Sequence, residues 1–104
     1  MLKRKVSALL VGLLASSTAW AHFPIMSCWY ESQQVVCEAG YSDGSSAVDY
    51  VINLFDYDDN LIAKSVTDNR SRVQFVKPDG EFYIVFDAGH ESPVEVDVVE
   101  LKHK

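Results

Sequence analysis

The side chains here with borderline or soft donor atoms are few: His22, His90 and His103, Cys28 and Cys37, and Met26 beyond the initiator. The stretch Thr18-Ala19-Trp20-Ala21-His22-Phe23-Pro24 raises the sharpest question. Cleavage after Ala21 would leave His22 at the chain start, where one residue offers both a free amine and the imidazole Nδ1. Together they can close a chelate ring on a metal ion. The amine, with an ordinary pKa of about 8, yields its proton to a metal at modest cost near neutral pH. A second imidazole completes a three-nitrogen set suited to copper. His90 is the candidate, because Gly89-His90 closes a strand in a turn, where a ring can point outward. Met26 lies on the same side of an extended strand as His22. Its thioether would favour Cu(I), whereas Asp87 or Glu91 beside His90 would favour Ni(II) or Co(II).

Each donor also has a plainer reading. Met26 fills a core as readily as it binds a metal, His22 is a residue that processing happens to leave, and His90 is a turn histidine bonded to backbone. His103, in the charged Leu101-Lys102-His103-Lys104 tail, reads as solvated. The acidic runs Asp56-Tyr57-Asp58-Asp59 and Asp43-Gly44 lack the fixed-period oxygen ligands of a calcium loop and read as polar turns.

The cleavage itself has its own signature. Lys3-Arg4-Lys5, an apolar run from Val6 to Ala15, and Ala19-Trp20-Ala21 form the charged, apolar and small-x-small parts of a secretory signal peptide over Met1–Ala21. That run of about ten residues is too short for a bilayer, which needs roughly 20, and no second run follows. The expected product is residues 22–104, one soluble domain without membrane insertion, periplasmic or secreted. The whole chain carries a net charge of −6, and the leader holds three of the nine basic residues and none of the acidic ones. The remainder is therefore more acidic still, which argues against nucleic acid or anionic lipid as partner.

A domain this small needs a staple. Export makes a disulfide between Cys28 and Cys37 the expected state, with two thiolate metal ligands as the rival. The spacing supports the bridge. A hairpin turning at Ser32-Gln33 sets Glu31 opposite Gln34 and Cys28 opposite Cys37, the latter a closely spaced pair.

The rest of the chain reads as short strands between turn clusters. Val48–Tyr57 is rich in β-branched and aromatic residues, with Ile52 and Leu54 on one face and Val51, Asn53 and Phe55 on the other. Asp58-Asp59-Asn60, Asp68-Asn69-Arg70-Ser71 and Pro78-Asp79-Gly80 punctuate the strands that follow. Val94, Val96 and Val98 alternate with polar partners in the last one. No helical period persists beyond the leader. The expectation is an all-β fold, a small antiparallel Greek-key β-sandwich of about seven strands over residues 22–104.

The run from Val51 to Val98 has a further cadence: an acidic turn after Phe55, Thr67-Asp68 closing a strand, and Asp87-Ala88-Gly89-His90 closing another. In this it resembles the transthyretin-like, carboxypeptidase-regulatory-like sandwiches. Among these it resembles the small exported accessory components of nickel and cobalt uptake transporters. That resemblance implies a metal ion as ligand, a membrane transporter or other envelope protein as partner, and His22 and His90 as the matching metal positions. Ser71 stands where a glycine is usual in the group.

No nucleophile elbow, zinc-protease motif, phosphate loop or Cys-x-x-Cys pair is present. A non-enzyme is expected. Two readings stand: an exported copper-, nickel- or cobalt-binding sandwich using His22, His90 and Met26, or an envelope interaction module that binds no metal. They divide on whether His22 and His90 meet in space.

Overall fold

The computed structural model describes residues 22–103, so the leader expected at Met1–Ala21 lies outside the described residues. The chain forms β1 (Pro24–Glu31), β2 (Gln34–Tyr41), β3 (Val51–Asp56), β4 (Leu61–Val66), β5 (Arg72–Val76), β6 (Phe82–Phe86), β7 (Val94–Asp97), a 3₁₀ turn (Val98–Glu100) and β8 (Lys102–His103). These make two four-stranded sheets, ordered β5-β2-β1-β8 and β4-β3-β6-β7. The chain crosses between the sheets after β2, β4, β5 and β7, so neither sheet could form from consecutive strands alone. No helix among the described residues is long and apolar enough to cross a membrane.

Alternation fixes which face each strand buries. Ile52 and Leu54 of β3, Val73 and Phe75 of β5, and Phe82, Ile84 and Phe86 of β6 point between the sheets. They join Val35, Ala39 and Tyr41 of β2 in one core. The β1–β2 hairpin takes the expected register, Glu31 opposite Gln34 and Cys28 opposite Cys37. The two cysteines form a disulfide with a Cα–Cα separation of 4.1 Å.

The all-β, two-sheet architecture is the expected one, and the C-terminal end is where the strand pattern departs from the reading of the sequence. Val94–Val98 does not run on as one alternating strand. The Asp97 carboxylate accepts from Val99 N–H, and the Glu100 carboxylate accepts from Asp97 N–H. This reciprocal cap starts a 3₁₀ turn and stops the strand. The chain then lays β8 parallel to β1, Trp29 opposite Lys102 and Tyr30 opposite His103. His103 is exposed as expected but not adrift, since its ring lies 5.1 Å from that of Tyr30.

Candidate metal-binding site at one end of the sandwich

The hairpin register decides where the first residues go. Pro24 lies opposite Tyr41. Continued outward, the same register puts Phe23 opposite Ser42 and His22 opposite Asp43. The contacts follow. Ser42 N–H donates to Phe23 C=O at 2.8 Å, and Phe23 N–H donates to Ser42 Oγ at 3.1 Å. His22 Nδ1 lies 2.8 Å from Asp43 Oδ2. The segment beginning at His22 is thus clamped to the loop after β2.

The second sheet ends at the same place. Tyr41 closes β2 and Phe86 closes β6, and their rings meet edge to face at 6.1 Å. Beyond Phe86 the Asp87–His90 turn is tightened by Gly89 N–H donating to Asp87 Oδ1, with Gly89 at a φ of 88°. That left-handed conformation suits glycine and precedes an exposed His90.

Residues far apart in sequence therefore converge. The His22 ring stacks on Tyr41 at 4.4 Å, the His90 ring lies 6.0 Å from Tyr41, and the two imidazoles are 6.2 Å apart and tilted by 30°. Opposite faces of Tyr41 would hold them about 7 Å apart or more, given ring contacts of about 3.5 Å. At 6.2 Å they stand beside one another. Metal–nitrogen bonds of about 2 Å put each ring centre about 3 Å from an ion, so imidazoles on opposite sides of one ion are about 6 Å apart. The observed spacing fits that span.

Electrostatics at this end are set by burial and by the Asp43 loop. Tyr41 is 5 % exposed, and its hydroxyl is buried without a hydrogen-bond partner among the described residues. Burial, with Tyr50 adding to it, pushes its phenol up to about 12, although the two hydroxyls do not meet in bonding geometry. Asp43 is pulled down to about 2 by the Ser45 hydroxyl and amide, then by His22, so it is a carboxylate at neutral pH.

Met26 is placed otherwise. It lies within β1, opposite Ala39, half-buried and packed on the core. Four residues of extended strand put it about 13 Å along the chain from His22. Among the described residues, no group of three or more His, Cys, Asp and Glu side chains is arranged to hold a metal ion. The donors brought together here are the two imidazoles. Sequence reasoning missed Asp43 and Tyr41 as their neighbours, although the hairpin register carried the signal for both. Compared with protein-family models, with curated proteins and with solved structures, the chain matches none.

Proposed function

We propose that this is an exported, non-catalytic β-sandwich that binds a single transition-metal ion, copper, nickel or cobalt, between His22 and His90. On this reading it passes the ion to a membrane transporter or another envelope protein. The observation that carries the reading is the 6.2 Å separation of two imidazoles that are 68 positions apart in sequence and held at one end of the fold. Two protein imidazoles leave much of an ion's coordination sphere open. That suits an ion taken up and released again, more than a structural metal closed on all sides. Processing after Ala21 would place the mature amine beside the pair. The resemblance to nickel and cobalt uptake components points the same way.

The test is titration of the chain beginning at His22 with Cu(II) and Ni(II), alongside His22→Ala and His90→Ala. The expected result is a loss of about tenfold or more in affinity in each variant. Affinity unchanged in both would end the metal reading.

The second reading, an envelope interaction module, is favoured by the outer face of the β4-β3-β6-β7 sheet. Val51 lies opposite Val66 and Phe55 opposite Leu61 there, and Val51, Leu61 and Val66 are each about half exposed. The two apolar pairs share one sheet face, with Asn53 opposite Lys64 between them, and exposed apolar side chains gathered on one face are a feature of docking surfaces. If Val51→Glu with Val66→Glu removed a co-purifying envelope protein while metal affinity stayed at background, this reading would replace the first.

A further inference from the structure

The two nitrogens of His22 are not equivalent in this fold. Nδ1 sits 2.8 Å from Asp43 Oδ2. An ionised carboxylate only accepts hydrogen bonds, so the proton between them belongs to Nδ1. In the neutral ring the lone pair is then on Nε2.

The contact is built rather than incidental. The other carboxylate oxygen of Asp43 accepts from Ser45 N–H at 3.0 Å and from Ser45 Oγ–H at 2.7 Å, so the carboxylate cannot swing freely. The ring plane of His22 is set by stacking on Tyr41, itself anchored in the core. The backbone is set by the paired bonds between Phe23 and Ser42. Carboxylate, ring and backbone all fix the same orientation.

Resting on the reading that His22 and His90 bind an ion, we propose that Asp43 is a positioning residue that makes Nε2 the metal-binding nitrogen of His22. A carboxylate behind a ligating imidazole fixes its tautomer and raises the basicity of the nitrogen facing the metal. A chelate ring through the amine and Nδ1 would need Asp43 to release that nitrogen and the proton to leave it. The site is therefore an imidazole pair that does not depend on the free amine, and it binds an ion whether or not a residue precedes His22.

The experiment uses residues 22–104, the same chain with one extra residue before His22, Asp43→Asn, and His90→Ala. Long-range proton–nitrogen correlation on histidine-labelled protein without metal reads the His22 tautomer. Expected is Nδ1–H in the unmodified chain, with a shift toward Nε2–H in Asp43→Asn. Titration with Ni(II) reads affinity. Expected is a change within about twofold for the extended chain and a loss of about tenfold or more for Asp43→Asn. Retained amide dispersion in that variant separates the effect from unfolding, and Asp43→Glu is the second variant should it collapse.

Ni(II) binding lost on extension but kept in Asp43→Asn overturns this inference and leaves the His22–His90 site standing. A neutral His22 carrying its proton on Nε2 in the unmodified chain also overturns it. Absence of both Ni(II) and Cu(II) binding by the unmodified chain overturns the site and the inference together.

Discussion

Tyr41 carries the His22 ring on its own face at 4.4 Å while its hydroxyl lies buried with no hydrogen-bond partner among the described residues. The ring is useful to the site and the hydroxyl is a cost. Burying a hydroxyl unpaired costs about 1–3 kcal/mol. Tyr41→Phe removes that cost and keeps the stacking surface. Urea unfolding should show the variant more stable by about 1 kcal/mol, with Ni(II) affinity unchanged. A loss of stability instead would mean that the hydroxyl has a partner in solution. Tyr41→Leu should differ, weakening metal binding because nothing flat then supports His22.

The disulfide should matter for the fold and not for the site. Cys28 and Cys37 close a short loop, nine positions apart, for which chain entropy gives about 2–3 kcal/mol. Cys28→Ala with Cys37→Ala should lower stability by about that amount in urea. The hairpin ladder continues from Glu31–Gln34 to Pro24–Tyr41, so His22 and Asp43 stay opposed without the bridge. Ni(II) affinity that fell with the bridge would show that the proposed metal site depends on the disulfide.

Acid should loosen the turns in a defined window. Asp68 accepts from the Arg70 and Arg72 amides, and these bonds, Arg72 first, hold its carboxyl below the usual 3.8. Asp56 is held down in the same way, mainly by the Asn60 amide. A carboxyl with a depressed native pKa stabilises the fold fully above its unfolded value, and the contribution fades as pH falls through the native one. Stability should therefore be flat from neutral pH to about 4 and decline below it. Asp68→Asn should be less stable than the unmodified chain at pH 7, with the gap closing towards pH 2. Urea midpoints at pH 7, 4 and 2 check this. A gap that persists at pH 2 would show that the charge is not what the turn uses.

The sheet-forming pattern was readable from the chain because it is local. Ile52 against Val51, or Val73 against Arg72, declares its face by alternation, and the Cys28–Cys37 register follows from the position of the turn. Val98 misled for the opposite reason: it keeps the alternation, but the Asp97–Glu100 cap, a side-chain effect, overrides it. The meeting of His22 with His90 depends on how the two sheets stack, which no local period encodes. The His22–Asp43 contact lies between these cases. It is the hairpin register continued two residues past Pro24–Tyr41, legible once the hairpin is drawn to its full length. Met26 shares the side of β1 that alternation assigns to His22. Sharing a side, however, says nothing of separation along the strand, and that separates them.

Ser71 offers the most discriminating test of why this turn holds a serine in a left-handed conformation. Its φ is 65°, a left-handed conformation that costs a residue with a Cβ about 1 kcal/mol. Glycine would remove that cost. Serine, however, accepts from the buried Ala47 N–H through Oγ at 2.9 Å, while Ser71 C=O accepts from Ala39 N–H at 2.9 Å. The side chain satisfies an amide that glycine would strand, and a stranded buried amide costs about 1–3 kcal/mol. The two effects oppose each other in Ser71→Gly, which should lose little stability. They do not oppose each other in Ser71→Ala, which keeps the backbone strain and loses the acceptor, and should fall by about 1–3 kcal/mol. The order of stability is therefore Ser71, then Gly, then Ala. Urea unfolding of the three chains decides it. An alanine variant as stable as the glycine one would mean that the Ala47 amide finds another partner and that the hydroxyl is not what keeps serine in this turn.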